Sequence, residues 1–262
     1  MNAIRCTVWS VPPIHSIISP MRRVPRWRAM TALALVCGVT LASDGTRLWS
    51  RIWGSTDHDE PWALAVDTGG CIYVGGRTTG AFDGQTNVNW YDIFLSKFTP
   101  EGTKEWSRIW GAGANDEAIG AAGDADGNVY VAGTASGNFD GQTTYVLYTD
   151  FFLSKVAPDG SRPWSRIWGS SAHDTGGGVS VTPQGDVYVS GCTEGALAGQ
   201  SNAGFQDVCL TKFTSAGDRS WVRMFGTPSR DFGTACAADS QGNVYITGFT
   251  EGFLHGNTNM GG

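Results

Sequence analysis

At 262 residues the chain is long enough to bury a sizeable core, and its 37 Gly and 11 Trp point to short strands, tight turns and aromatics between sheets. No stretch beyond the N-terminus sustains apolar residues at helical spacing, so the class is all-β. The net charge of −6 conceals an acidic body. Arg5, Arg22, Arg23, Arg26 and Arg28 are the only charges in 1–42, which leaves 13 basic against 24 acidic residues, or −11, in the remainder. Such a surface repels phosphate backbones and anionic lipid, which argues against nucleic acid and membrane surfaces as partners.

In chain order, residues 1–42 read as an N-terminal extension and an export signal. Arg22–Arg28 is a basic segment, Ala29–Leu41 an apolar run, and Thr40-Leu41-Ala42 a small-residue cleavage site. The run is short for a bilayer span, so no membrane insertion is expected after cleavage. Met21 directly precedes the basic cluster and is the expected translation start. Cys37 lies in the apolar run, but Ala34-Leu35-Val36 before it is a poor lipoprotein box, so cleavage after Ala42 is favoured over lipidation.

Residues 43–262 are tandem copies of one unit, with leading Trp residues at 49, 106, 164 and 221. Trp49-Ser50-Arg51-Ile52-Trp53-Gly54 recurs at Trp106–Gly111, at Trp164–Gly169 and, altered, at Trp221–Gly226. Asn128-Val129-Tyr130-Val131 and Asp92-Ile93-Phe94-Leu95-Ser96-Lys97-Phe98 have counterparts that keep step. In the second copy four strands are expected over 118–123, 128–133, 150–156 and 162–168. Asp124–Gly127 and Pro158–Ser161 are the hairpin turns between them. Three of these runs are apolar on both faces and need cover on both, as the stacked blades of a β-propeller provide. Ala118–Gly123 is small throughout and belongs innermost, where blades crowd together. The Trp-rich run belongs outermost, with Trp106, Arg108 and Trp110 on one face and cation–π packing onto the next blade.

These units resemble the SBBP repeat, a family named for a predicted seven-bladed β-propeller and found mostly in exported bacterial proteins. The resemblance rests on Trp-Ser-Arg…Gly, an Asp five residues after that Gly, Asp-x-x-Gly-Asn-Val-Tyr-Val-x-Gly, and Asp-x-Phe-Leu-x-Lys-Phe-x-Pro-x-Gly. It covers nearly all of 46–262. It implies a four-stranded blade per unit, a secreted or cell-surface location, and no catalytic residues or cofactor. Departures are Cys71 and Thr182 at turn positions, and about 3.7 units where seven are expected. That count predicts an incomplete ring, a piece of a longer repeat protein able to self-associate through open blade edges.

Alternating connections place the longer loops on one face, where Trp90, Tyr91, Tyr145, Tyr148 and Phe205 stand at positions without counterparts in the other copies. Asp59, Asp116, Asp174 and Asp231 recur at spacings of 57, 58 and 57, with His58 and His173 beside two of them. They are candidates for a ligand or cation site at a channel mouth, or for acceptors that fix their own loops, the reading preferred for residues present in every copy. The Asp83–Asn87 and Asp140–Thr143 loops look calcium-like, but Ala198 and His255 replace the acid in later copies. Asp92 and Lys97, with Asp150/Lys155 and Asp207/Lys212, lie more than about 15 Å apart on an extended strand and cannot act as acid–base pairs. They are expected to contact neighbouring blades. Of the cysteines, Cys192 and Cys209 are the candidate disulfide, and no metal-ligand spacing occurs.

No nucleophile elbow, zincin or phosphate-loop motif is present. The expectation is an exported, non-catalytic propeller scaffold whose loop face binds a protein or carbohydrate. Alternatives are a propeller lyase or hydrolase acting at the channel mouth, and a structural module of a larger surface protein.

Overall fold

The computed structural model describes residues 36–253 except 89 and 144–147, together with 257, with side chains from 42 onward. Among these residues there is no helix. Strand β1 (Val36–Leu41) pairs antiparallel with β2 (Arg47–Trp53). Most of the expected export signal and the start site at Met21 lie outside the described residues.

The first blade is β3 (Asp59–Val66), β4 (Ile72–Thr78), β5 (Asp92–Phe98) and β6 (Lys104–Trp110), paired in that order. The second is β7 (Glu117–Gly123) and β8 (Val129–Ser136), then, after the two-residue strands β9 (Asn138–Phe139) and β10 (Gln142–Thr143), β11 (Thr149–Val156) and β12 (Trp164–Trp168). The third is β13 (Asp174–Val181), β14 (Val187–Thr193), β15 (Asp207–Phe213) and β16 (Arg219–Phe225). β17 (Asp231–Ala238) and β18 (Val244–Thr250) begin a fourth. The expected strands match those observed in kind, order and, within a few residues, in extent.

The small-residue strands β7, β13 and β17 are innermost together with the bulkier β3: β3 packs on β7, β7 on β13, and β13 on β17. The reason is steric. A methyl on Gly120 would stand 2.9 Å from Gly177 O, and one on Gly177 would stand 2.5 Å from Gly233 O, so these backbones meet directly. Each inner strand also carries a bulge at the matching place, between Pro61 and Ala63, Ala118 and Gly120, Gly176 and Val179, and Gly233 and Ala235.

The core lies between blades. Tyr73, Val131 and Phe152 belong to one apolar cluster and Tyr130, Phe151 and Val189 to the next, so successive residues of one strand serve two interfaces. The ring is not closed among the described residues. At one end β3 exposes Trp62, Leu64 and Val66, and at the other β18 exposes Tyr245 and Phe249.

The same clamp joins successive blades. Trp49 and Arg51 of β2 donate to Pro100 O (2.7 Å) and Gly102 O (2.9 Å) of the first blade. Trp106 and Arg108 of β6 donate to Pro158 O and Gly160 O, both at 3.1 Å. Arg166 of β12 donates to Gly217 O at 2.8 Å. Arg108 stacks on its own Trp106 at 5.1 Å while its N–H groups reach the next blade. The cation–π contact across the junction is made by Arg162 of the second blade over Trp110 at 5.2 Å.

The Cys192–Cys209 disulfide does not form. Cys192 lies opposite Val208 and Cys209 opposite Gly191, so the two side chains leave opposite faces of the sheet. Cys71, Cys192, Cys209 and Cys236 are all free, and burial pushes the Cys192 and Cys209 thiols up to about 12.

Candidate functional site

Each of the four repeated acids stands at the entry to an inner strand, almost wholly buried. Asp59 accepts the Ser55 N–H (2.6 Å) and the Thr78 hydroxyl (2.5 Å). Asp116 accepts Ala112 N–H (2.5 Å) and Ser136 N–H (2.9 Å), Asp174 accepts Ser170 N–H (2.5 Å), and Asp231 accepts Thr227 N–H (2.6 Å). In every copy the acceptor takes the amide four residues earlier. The carboxylates therefore turn back into their own loops and do not converge on one ion or ligand.

Each of three acids meets a second acid that sequence reasoning assigned elsewhere. A side chain on Gly111 would collide with both Asp92 and Asp116, and one on Gly169 with both Asp150 and Asp174. Asp207 faces Asp231 at the third junction, next to Gly226. Burial raises the pKa of Asp116 to about 7, with Asp92 and Glu117 adding to it against the donors Ala112 and Ser136. Burial likewise raises Asp92, Asp174 and Asp207. The signal was available: the two acids of each pair are 24 residues apart in every copy, with the Gly five before the second.

The lysines paired with these acids in the sequence reading go elsewhere. Lys97 binds Glu105 (2.8 Å) and Pro158 O of the next blade (3.2 Å), whereas Lys155 and Lys212 pair with Asp124 and Asp186 in turns of their own blades. The calcium-like loops are also accounted for. Asp83 accepts Ser107 N–H and pairs with Lys104, and Asp140 pairs with Arg162 at 2.7 Å. Among the described residues no group of three or more His, Cys, Asp or Glu could hold a metal ion.

On the long-loop face Trp90, Tyr148 and Phe205 occupy one equivalent position, two residues before the first Asp of the third strand in each blade. This corrects the expectation that these aromatics have no counterparts. They are exposed to 70%, 37% and 60% respectively, so they do not serve the core. Tyr148 meets His173 edge-on at 5.0 Å, and Arg230 lies over Phe205 at 5.7 Å. His58 meets Tyr91 at 5.7 Å. Tyr145 lies outside the described residues.

One polar group was missed. Arg77 of β4 is held by Glu60 (2.7 Å) and Glu117 and lies over Trp62 (4.8 Å) and Tyr91 (4.1 Å), and His58 pairs with Glu60 at 3.2 Å. The other copies place Thr134, Cys192 and Phe249 where Arg77 stands, so the group is particular to the first junction. Arg77 is saturated by two carboxylates and two rings.

Tandem four-stranded blades, inner strand to inner strand, make this a β-propeller-type repeat protein. Residues 220–252 match the SBBP family model, described as a beta-propeller repeat. That match spans one unit, and the three units before 220 share its sequence landmarks. It is 26% identical over 199 residues to the "Regulatory protein FlaEY" of Caulobacter vibrioides, an alignment covering 68% of this chain. The chain spans about a fifth of that protein, 20% of its length. It is also similar, at TM-score 0.47 and 13% identity, to a crystal structure of a protein of unknown function from Bacteroides caccae, covering 80% of this chain and 63% of that one.

Proposed function

We propose that the chain is an exported, non-catalytic β-propeller scaffold that binds a protein or carbohydrate through its loop-rich face. The observation that carries this reading is the exposed aromatic repeated in three blades, Trp90, Tyr148 and Phe205, on the face that holds the long loops. Large rings kept out of the core give flat, partly apolar contact area, which suits sugar faces and peptide side chains. Polar neighbours beside two of them, His173 and Arg230, supply donors at the rim. The repeated acids support a scaffold rather than a reaction centre, since each is engaged by its own loop. The distant relative is by name a regulatory protein, in keeping with binding rather than turnover.

One experiment tests the parts together. The full chain is expressed in a bacterial host, the protein outside the cytoplasm is sequenced from its N-terminus, and it is applied to glycan and protein arrays. The expected product begins near Ser43 and binds a restricted set of probes. Trp90→Ala with Phe205→Ala should weaken that binding at least about tenfold without lowering the melting temperature. A cytoplasmic product retaining Arg22 would remove the export claim. Binding unchanged in the double variant, or cleavage of an arrayed probe, would remove the rest.

A further inference from the structure

The bond expected to be cut on export lies in a turn that belongs to the repeat. Gly45 N–H donates to Ala42 O (2.9 Å), Ala42 N–H donates to Thr46 O (2.8 Å), and Gly45 stands at φ +85°. The hairpins between the third and fourth strands of the three blades are built the same way. Gly102 N–H donates to Thr99 O, Gly160 N–H to Ala157 O and Gly217 N–H to Thr214 O, each at 2.9 Å. These glycines stand at φ +81°, +81° and +84°.

The strands on either side of the turn match as well. β1 pairs with β2 through Val36↔Trp53 and Gly38↔Arg51, with a register shift between Thr40 and Leu41. β5 pairs with β6 through Ile93↔Trp110 and Leu95↔Arg108, with the shift between Lys97 and Phe98. β15 pairs with β16 through Val208↔Phe225 and Leu210↔Arg223, with the shift between Lys212 and Phe213. Position for position, β1 is a third strand and β2 a fourth.

One segment therefore meets two demands. Residues 36–41 end the apolar run of the expected export signal, and they also complete a hairpin whose Trp49 and Arg51 clamp the first blade. A peptidase takes its substrate extended, with the scissile carbonyl free to receive donors from the enzyme. In the folded chain the carbonyl of Ala42 already receives Gly45 N–H, inside a tight turn between paired strands. Ser43 is exposed, so what guards the bond is its conformation and not burial. Building on the export reading above, we propose that Val36–Leu41 is a blade strand as well as part of the export signal, and that folding closes the Ala42–Ser43 bond to hydrolysis. The signal is then removed only from chain that has not yet folded.

The full chain is diluted from denaturant into bacterial signal peptidase, either at once or after it has folded. Cleavage after Ala42 should be at least about tenfold slower for the folded chain. A side chain at Gly45 would meet nothing within 4 Å but would strain the backbone at φ +85°. Gly45→Val should thus be cut faster than wild type when folded, and equally fast when unfolded. Wild type cut at one rate in both orders overturns the proposal. Cutting in neither order removes the export reading instead, and a cross-link then decides the strand. Ile52→Cys places a thiol opposite Cys37, and mild oxidation of the folded chain should join the two. Ser50→Cys, opposite Val39 and two residues out of register, should not be joined to Cys37. Absence of the link in Ile52→Cys, or an equal link in Ser50→Cys, overturns the proposal whatever the peptidase does.

Discussion

Gly160 lies in the hairpin turn between β11 and β12 at φ +81°, directly beneath the Arg108 guanidinium of the preceding blade. A side chain there would be strained by the left-handed backbone and would also displace the guanidinium at 2.8 Å. Gly160→Ala should therefore cost about 1–3 kcal/mol. A chemical denaturation midpoint equal to wild type would show that the clamp does not depend on this contact. The turn residues were legible in the sequence because each does a local job: Thr182 stands where other copies have Asp and still receives the amide four residues on, from Asp186. The Cys192–Cys209 pairing was misread because proximity in a hairpin was weighed without strand alternation. Asp92 and Asp116 were each singled out, but nothing local joins them; the meeting depends on one blade's third strand lying beside the next blade's first.

Each outer strand has one edge without a neighbouring strand, a row of donors and acceptors that invites further pairing. A glutamine from the long loop covers it. Gln142 accepts the Ile167 N–H (3.3 Å) and donates to Ser165 O (3.0 Å) of β12, and Gln85 and Gln200 do the same for β6 and β16. The side-chain amide replaces one residue of a fifth strand. Gln142→Ala should cost about 1 kcal/mol and speed hydrogen exchange at the Ile167 amide, leaving Ile109 unchanged. Equal exchange in variant and wild type would mean that water serves the edge as well. Element order and type were readable because the strands alternate turn signals with runs apolar on both faces. The glutamine brace was not, since a polar residue that recurs in each loop gives no sign of which strand it reaches.

Across the described residues the repeat explains most of what is observed: inner strands in backbone contact, outer strands clamped on the next turn, and a core cluster at each junction between the complete blades. The open ends expose Trp62 and Leu64 on one side and Tyr245 and Phe249 on the other, the positions that other blades cover inside the stack. Function was less legible than fold because it depends on exposure, which periodicity does not report. Trp90, Tyr148 and Phe205 differ in identity, and only their shared position and accessibility reveal them as a set. The central claim is a division of labour, in which buried repeated acids hold the fold and exposed repeated aromatics meet a partner. The most direct test is the melting temperature of two matched sets at pH 7, Asp116→Ala and Asp174→Ala against Trp90→Ala and Phe205→Ala. Removing an acid orphans a buried amide at about 1–3 kcal/mol, so the first set should melt roughly 3–10 °C below wild type and the second within about 1 °C of it. Aromatic variants that lose as much stability as the acid variants, or acid variants that lose none, would contradict the account.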